Sequence, residues 1–469
     1  MSKSRRFLVV GSWCLYDFAN TIFAFVVMGF YYNQWLCLDL GFSEGWLALG
    51  IGVAMVAVGL STPIIGVISD ERRQRANYVN RFTVVCVICT ALIGVFGYLL
   101  PTAFAKMGVT LVFFIVANYC YAACLAFYNA LMQEITTPQN IGRVSGAGVA
   151  VGYLGAIIGG AVAFCFAEAE YFSQLPEWLR ASMEPLMVER FAPGDVTSHA
   201  RLNAFIPTAI YFVLFSIPFY LFVKDRDPRP DAVKMNRATV KRAFRQVVRN
   251  VKETRKYPGV LRFLIAKSLY EDALQTTIIF MPLYAEHAIG MTDDKNKLVF
   301  YGWTSIFSTV GSAVAGWLVD KIGPKRVLMG VVLGWVFFMT LTSCWPSEPV
   351  FWVVGAFLGA LLGSAWTSAR PLLAELTPAK MSSEFFGLYA LSGKVATVIG
   401  PAVFFLTIFV VGKGAVPLYT YLTGNAVEGR GVEYRAAVFA LAMMVACGFW
   451  VLRKVPDYFR TGRPDWDAE

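Results

Sequence analysis

The stretch WCLYDFANTIF, residues 13–23, places a carboxylate and an amide inside an apolar run that extends from Phe7 to Leu36. A run of about 20 apolar residues is long enough to cross a bilayer as a helix. A charged side chain inside such a helix is costly unless it is paired, neutralised or turned toward water. Because residues three apart share a helix face, Asp17 and Asn20 lie on the same side. The stretch therefore predicts a membrane-spanning helix with one polar face.

Similar apolar runs recur along the whole chain of 469 residues, of which 57% are hydrophobic and only 15% are charged. Soluble proteins of this size carry far more charge. The runs are continuous rather than alternating, which favours helices over the strands of a membrane barrel. The predicted fold class is an all-α membrane protein. We predict twelve spans, at 10–36, 45–68, 79–100, 108–133, 144–167, 203–223, 260–286, 298–319, 327–345, 350–373, 384–411 and 434–453.

Lysine and arginine are distributed unevenly between the two sides of these spans. With the N-terminus inside, the inner loops hold basic clusters at 72–81, 321–326 and 453–454, whereas the outer loops 37–44 and 346–349 hold none. An excess of basic residues marks the cytoplasmic side. We therefore expect a multi-pass protein of the bacterial inner membrane, with both termini cytoplasmic. The net charge of +10 then belongs to the inner membrane face, and no nucleic-acid partner is expected.

The sequence offers no pattern typical of an enzyme or of a cofactor site. The nine cysteines lie mostly inside spans, and the Cys86-x-x-Cys89 pair has no partner ligands near it in the sequence. Packing is the better interpretation of such cysteines than metal binding. No phosphate-binding loop, nucleotide site or nucleophile triad is visible. We expect no metal, no cofactor and no catalytic residue.

The chain repeats itself. Three short matches occur in the same order in both parts of the chain, and from the third an ungapped alignment pairs the glycines at 146, 152 and 159 with those at 387, 393 and 400. Repeats of this kind are typical of transporters built from two homologous halves. The matches are LYDFA at 15–19 with LYEDA at 269–273, Gly66-x-x-x-Asp70 with Gly316-x-x-x-Asp320, and EITTP from Glu134 with ELTP from Glu375.

The repeats divide the chain into an N-terminal six-helix half at 1–223, a basic linker at 224–259 and a C-terminal six-helix half at 260–469. In the linker, Val240, Phe244 and neighbouring valines recur at helical spacing between lysines and arginines. This pattern indicates an amphipathic helix that binds anionic lipids of the inner leaflet. Alternatively, the linker is only a solvated basic connector.

Six plus six spans, a basic inner linker and the loop after span 2 resemble the major facilitator superfamily. The family signature between spans 2 and 3 is G-x-x-x-D-[RK]-x-G-[RK]-[RK], and the second copy fits it as GWLVDKIGPKR at 316–326. The first copy keeps Gly66 and Asp70 but lacks the loop glycine. The opening stretch at 13–23 and the segment at 134–155 further resemble the branch that contains the fungal autophagy-linked vacuolar amino-acid effluxers and their bacterial relatives.

The resemblance implies a secondary transporter with alternating access, whose spans 1, 4, 7 and 10 line a central cavity. Asp17 would bind a cation or ammonium group, or carry a coupling proton, because desolvation favours a neutral carboxyl. Alternatively, it makes a structural hydrogen bond to a neighbouring span. The residues that we expect to contact substrate or proton are Asp17, Asn20, Asn129, Tyr153, Glu271, Asp272, Gln275 and Lys394.

Span 7 carries the second group of charges. Lys267 lies one turn before Glu271, so an ion pair within the helix is plausible. Asp272 has no sequence-local partner and points elsewhere. Lys394, ten residues into span 11, needs a carboxylate or an anionic ligand at that depth. Its partner is either an acidic side chain or the substrate.

A helix-end carboxylate together with arginines can hold one half against another on the inner side and release it during transport. Alternatively, these charges only set the topology. Glu134 and Glu375 are expected to pair with Arg143 and the basic loops. The candidate gating residues are Asp70, Arg75, Glu134, Arg143, Asp320, Lys325, Arg326, Arg370 and Glu375.

The leading hypothesis is transport of a small polar metabolite, either an amino acid or a related zwitterion or organic anion, by a monomer that uses protons as the coupling ion. Carboxylates of spans 1 and 7 opposite Lys394 suit such a ligand. A lipid or lysolipid flippase is the first alternative, since the basic linker and the aromatic content allow it. A membrane receptor or scaffold that does not transport is the second.

Overall fold

The computed structural model describes residues 3–42, 44–137, 139–190, 200–225, 245, 257, 259–291, 294–378, 381–395, 399–415, 417 and 431–462. The amphipathic helix predicted in the linker lies outside these residues. Among these residues, twelve long helices follow the twelve predicted spans, which confirms the predicted fold class. They are α1 (Lys3–Phe23), α2 (Glu44–Arg72), α3 (Arg75–Leu99), α4 (Ala103–Ile135), α5 (Ile141–Ala167), α6 (Phe205–Phe222), α7 (Val260–Tyr284), α8 (Asp294–Ile322), α9 (Pro324–Cys344), α10 (Glu348–Leu376), α11 (Ser382–Val395, resuming over Ile399–Val410) and α12 (Val432–Arg453).

Within the described residues, eight helices are each long and apolar enough to cross a bilayer, and nine if the two bent pieces of α2 form one span. Helix α7 falls outside this set because it carries Arg262, Lys267, Glu271 and Asp272. Charges inside a spanning helix are rare and usually functional. The charged residues of α7 are therefore the first candidates for the functional site.

The chain divides into two compact units. Unit 1 comprises residues 1–135, 151–247 and 380–387, and unit 2 comprises 136–150, 248–379 and 388–469. In unit 1, the main packed pairs are α1 with α6, α2 with α4, α3 with α4 and α3 with α6. In unit 2, the corresponding pairs are α7 with α12, α8 with α10, α9 with α10 and α9 with α12. The same four pairings thus occur in each unit, as expected for homologous halves. The exact halves and linker bounds inferred from the sequence stay a prediction.

Small residues bring the helices of unit 2 close together. The Ser308 hydroxyl on α8 donates to the Gly359 carbonyl on α10 at 2.8 Å, and the Ser364 hydroxyl on α10 donates to the Gly311 carbonyl on α8 at 3.0 Å. Without water to drive association, membrane helices depend on such close packing and on hydrogen bonds between helices. These contacts hold α8 and α10 close together within the unit.

Candidate functional site

The polar stretch of α1 begins with a reciprocal contact to α4. Trp13 donates from Nε1 to the Tyr128 carbonyl at 3.0 Å, and the Tyr128 hydroxyl donates to the Trp13 carbonyl at 3.0 Å. Their rings stack, with centroids 4.4 Å apart. One turn later, the Tyr16 hydroxyl lies 2.5 Å from the Thr83 hydroxyl of α3. These contacts fix the rotation of α1 and thus the direction of the Asp17 face.

Asp17 and Asn20 are both buried, at 5% and 3% exposure. Asp17 lies against α5, where a Cβ added to Gly152 would be 3.6 Å from the Asp17 Cγ and 3.0 Å from the Thr21 hydroxyl. Within the described residues, the Oδ1 atom of Asn20 accepts no hydrogen bond. The polar face predicted for α1 is therefore present. Because Gly152 has no side chain, it leaves space for the Asp17 carboxylate.

The repeat equivalents of Asp17 and Gly152 are Glu271 and Gly393, and they meet in the same way. A Cβ added to Gly393 on α11 would lie 3.6 Å from the Glu271 Cδ. Lys267 forms the ion pair with Glu271 within α7 that its spacing indicates. The Lys267 Nζ also donates to the Tyr389 carbonyl at 3.3 Å and lies 3.9 Å from the centroid of that ring. The carboxylate of α7 thus has a neighbouring cation in a cage formed with α11.

Asp272, the next residue, has a different partner. Its Oδ2 accepts a 2.6 Å hydrogen bond from the backbone N–H of Gly400, in the first turn of the second piece of α11. A carboxylate in this position satisfies an N–H that the helix cannot and opposes the positive end of its dipole. Asp272 is 1% exposed. This contact indicates a structural role for Asp272, whereas the sequence predicted a role in proton or substrate chemistry.

The other predicted substrate residues are only partly described. Tyr153 on α5 and Gln275 on α7 are half-buried. Asn129 on α4 is buried, and its Oδ1 accepts no hydrogen bond from the described residues. Lys394 lies in the first piece of α11, but its side chain is outside the described atoms. Its predicted role as an anion-binding lysine stays a prediction.

The first group of gating candidates forms a compact cluster in unit 1. Arg75 donates from Nε to the Asp70 Oδ1 at 2.8 Å and from Nη1 to the Glu134 Oε1 at 2.6 Å. The guanidinium thereby connects the ends of α2 and α4 to the start of α3. Arg75 is only 5% exposed, so the cluster is sheltered from solvent screening. Glu134 does pair with a basic residue of the loop, as expected.

Asp225 also forms hydrogen bonds at this end of unit 1, although no sequence pattern identified it as a site residue. Its two carboxylate oxygens accept the backbone N–H groups of Ala76 at 2.7 Å and Asn77 at 3.0 Å, at the start of α3. Burial raises the pKa of the Asp225 carboxyl above its usual value. Asp225, which accepts these N–H groups at the start of α3, lies 148 residues from Asn77 in the chain. No local capping pattern could therefore have indicated it.

The second group lies in unit 2 around Asp320 at the end of α8. Its Oδ1 accepts the Gly142 N–H at 2.7 Å, and its Oδ2 accepts the Arg143 N–H at 3.1 Å and the Arg143 Nε at 2.7 Å. A Cβ added to Gly146, one turn further, would lie 2.5 Å from the Ser312 carbonyl oxygen, so α5 and α8 touch along their backbones. Asp320 therefore caps the start of α5. Arg143, which we expected to pair with a glutamate, forms an ion pair with this aspartate.

The remaining gating candidates have other surroundings. Arg326 pairs with Asp457 at 3.1 Å, and the Lys325 Nζ donates to the Arg453 carbonyl at 3.0 Å. Lys325 thus contacts the last residue of α12 and Arg326 contacts the segment that follows it, rather than the α8 aspartate. Arg370 and Glu375, both on α10, are half-buried and lie within electrostatic reach of Tyr389 and Tyr458, respectively.

Comparisons with known proteins agree with this architecture. Residues 132–422 match the family model described as "Vacuole effluxer Atg22 like", and residues 1–160 match that of the major facilitator superfamily. Solved structures of similar fold include the transporter FucP in its outward conformation, with a TM-score of 0.65 and 12% identity over 96% of this chain and 97% of that one. The proton:xylose symporter XylE aligns with a TM-score of 0.64 and 13% identity over 98% and 97% of the two chains.

Sequence relatives lead to the same family. The uncharacterized MFS-type transporter YxiO of Bacillus subtilis is 24% identical over 95% of this chain and 94% of its own. Autophagy-related protein 22 of Cryptococcus neoformans is 26% identical over 55% of this chain, which spans about half the length of that fungal relative (45%). These relatives are transporters by fold and family, not enzymes. Because the Atg22-like model alone matches more than half of its residues, the chain belongs to the Atg22-like family of the major facilitator superfamily.

Proposed function

We propose that this multi-pass secondary transporter moves an amino acid, or a related zwitterion or organic anion, by alternating access coupled to protons. The observation that carries the proposal is the pair of carboxylates at equivalent places in α1 and α7, the buried Asp17 and the half-buried Glu271. Intramembrane carboxylates of this kind mark substrate or proton pathways. The family name, which describes vacuole effluxers, supports a transported metabolite.

In this proposal Asp17 binds the positively charged group of the substrate. It lies beside Asn20, whose amide oxygen has no donor among the described residues and can accept a hydrogen bond from the same ammonium group. Trp13 and Tyr16 hold the helix so that this face cannot rotate away. Lys394 on α11 is proposed separately as an anion-binding residue, since a compact ammonium suits a small anionic ligand.

The two carboxylate clusters are proposed as gates on the inner side of the membrane. Asp70 with Arg75 and Glu134, and Asp320 with Arg143, each join helix ends through charged hydrogen bonds. Such contacts can form and break as whole helices move, because packed interfaces tend to have discrete arrangements. Asp70 and Asp320 occupy equivalent positions in the two repeats, and both clusters would open when the inner side opens.

We also propose that both termini and the linker lie in the cytoplasm and that the protein resides in a bacterial inner membrane. Cysteine labelling tests this, with Arg245→Cys introduced into a variant that has no other cysteine. A membrane-impermeant thiol reagent added to sealed cells should not reach this site until the cells are opened. Labelling of position 245 in sealed cells would contradict the topology.

Transport itself is tested with purified protein in liposomes. A panel of labelled amino acids and organic anions is added with and without an inward proton gradient, and a labelled lysolipid is included in parallel. We expect at least one amino acid or organic anion to accumulate only with the gradient, and not in liposomes that lack protein. Movement of the lysolipid alone would favour the flippase alternative.

A further inference from the structure

The segment that follows α12 folds back over the ends of other helices in unit 2. We call residues 454–461 the strap. Within it, Pro456 packs on Gly259, the residue before α7, and Phe459 packs on Gly323, the residue before α9. The strap thus touches the starts of two helices that are far apart in the chain.

Both glycines are matched to the docked strap. Their backbones are left-handed, with φ of +101° at Gly259 and +91° at Gly323, a conformation that strains any residue with a side chain. A Cβ added to Gly259 would lie 2.2 Å from the Pro456 Cδ, and one added to Gly323 would lie 2.8 Å from the Phe459 Cβ. A side chain at either glycine would therefore displace the strap.

Polar contacts complete the docking. The Arg262 Nη1 donates to the Lys454 carbonyl at 3.1 Å, and Arg326 pairs with Asp457 at 3.1 Å. The two side chains of this ion pair keep 31% and 21% exposure. Ion pairs that water reaches contribute little each. The strap is therefore held by several weak contacts, and it can leave its place without the loss of one strong contact.

Unit 1 has a counterpart of the strap that is held differently. Asp225 follows α6 as closely as Asp457 follows α12, and its carboxylate accepts two backbone N–H groups at the start of α3. Helix α9 begins with Pro324, which has no N–H, and Asp457 contacts the Arg326 side chain instead. A side-chain contact can break without leaving the first N–H groups of a helix unsatisfied. The strap of unit 2 is thus the releasable one.

The strap also reaches the end of α10. A Cβ added to Gly259 would lie 3.4 Å from the Leu376 Cδ2, so Pro456 and the last residue of α10 pack against the same glycine. Leu376 is fully buried, at 0% exposure. The docked strap therefore links one end each of α7, α9 and α10. These ends cannot separate while all of its contacts are in place.

We propose that the strap is a clasp that regulates transport. When it is docked, it holds the ends of α7, α9 and α10 together, and when it is released, these ends can separate and Leu376 becomes accessible. The clasp itself does not depend on the substrate, whereas its effect on transport rests on the function proposed above.

A labelling test needs no transported substrate. Leu376→Cys in a variant with no other cysteine places a thiol at the buried end of α10, and its rate of reaction with a maleimide is measured in detergent. Asp457→Ala should raise this rate about fivefold, the upper range for a partly exposed ion pair, and Phe459→Ala should raise it further. The control Arg460→Ala changes an exposed residue of the same segment and should leave the rate unchanged.

A second experiment fixes the strap in its docked position. Gly323→Cys/Phe459→Cys should form a disulfide, because the Cβ atoms of a disulfide are about 3.8 Å apart and a small outward shift from the docked position reaches that distance. We expect the oxidised protein to lose amino-acid exchange in liposomes and a reductant to restore it. The reduced form of the same variant is the control, since it carries the same strain at position 323.

The clasp and the proposed function fail separately. Equal labelling rates in Asp457→Ala, Phe459→Ala and Arg460→Ala would overturn the clasp, as would a fall of melting temperature that accounts for the faster labelling. If the wild type transports nothing in the panel but labelling changes as expected, the proposed substrate class is wrong and the clasp is supported. If exchange is equal in the oxidised and reduced forms, the strap does not regulate transport, and the transport function stands.

Discussion

The Asp320 carboxylate accepts a 2.7 Å hydrogen bond from the backbone N–H of Gly142, in the first turn of α5. The ungapped repeat match places Ser383 opposite Gly142, and the separate Gly-x-x-x-Asp match pairs Asp70 with Asp320. In unit 1, the Ser383 N–H indeed points to the Asp70 Oδ1, at the longer distance of 3.4 Å. The same aspartate-to-helix contact thus occurs twice, tightly around Asp320 and loosely around Asp70.

Replacement of Asp320 tests the tight contact. Asp320→Ala would leave the first N–H groups of α5 without their acceptor, and we expect a loss of about 1–3 kcal/mol of stability. Asp320→Asn keeps one acceptor oxygen and should lose less. The measurement is thermal unfolding in detergent, with Lys321→Ala as the control, because it removes an adjacent charge whose ammonium lies over the Trp317 ring of the same helix. Equal stability of the alanine variant and the control would contradict the capping role.

We expect Arg75 to contribute more to the free energy of unfolding than a residue in an exposed ion pair does. Arg75→Ala leaves Asp70 and Glu134 as adjacent acids in a sheltered site, and we expect a loss of about 3–5 kcal/mol. Arg75→Lys should rescue only partly, because one ammonium cannot reproduce the two directed bonds of the guanidinium. The exposed Arg81, which bonds to Asn77, provides the control as Arg81→Ala. A full rescue by lysine in unfolding experiments would show that only charge matters.

Replacement of Asp272 tests whether its carboxylate has a structural role or carries protons. An asparagine can still accept the hydrogen bond of Gly400, so Asp272→Asn should fold normally and keep its pH-dependent transport. Asp272→Ala leaves that N–H unsatisfied and should cost about 1–3 kcal/mol. Melting temperature and pH profile are measured for both variants. Loss of pH dependence in a stable Asp272→Asn would instead place the proton on Asp272.

Part of this architecture follows from local sequence. The twelve spans follow from the length of the apolar runs, and the repeats LYDFA and LYEDA identify two related halves. The pair of Lys267 and Glu271 is one turn of a helix apart, so the spacing alone indicates it. These features could be predicted because both partners lie within one helix or because a pattern repeats along the chain.

The remaining contacts depend on which distant segments meet. Arg143 and Asp320 are 177 residues apart, and the choice of Asp320 over a glutamate is decided by the packing of α5 against α8. Asp272 and Asp225 each accept backbone N–H groups, and any residue type other than proline can supply such a donor. No residue pattern therefore marked the partner of either carboxylate before the fold was known.

Replacement of Asp17 tests whether this residue acts in substrate binding or in proton coupling. If it binds the ammonium group, Asp17→Asn should abolish both exchange and gradient-driven accumulation while leaving the melting temperature nearly unchanged, since a neutral isostere is cheap to bury. Glu271→Gln, in contrast, should affect accumulation and the pH profile. Substrate exchange in liposomes is the measurement, with thermal unfolding as the folding control. Unchanged exchange in Asp17→Asn would remove Asp17 from the binding site.

The central claim, that a small metabolite and protons move together, is tested most directly when both fluxes are measured in the same liposomes. A labelled amino acid that the screen has identified is added outside, and a pH-sensitive dye inside reports protons without any imposed gradient. We predict that addition of the amino acid changes the internal pH in wild-type liposomes, that Glu271→Gln abolishes this change, and that liposomes without protein show none. Amino-acid movement with no change of internal pH in the wild type would contradict the account.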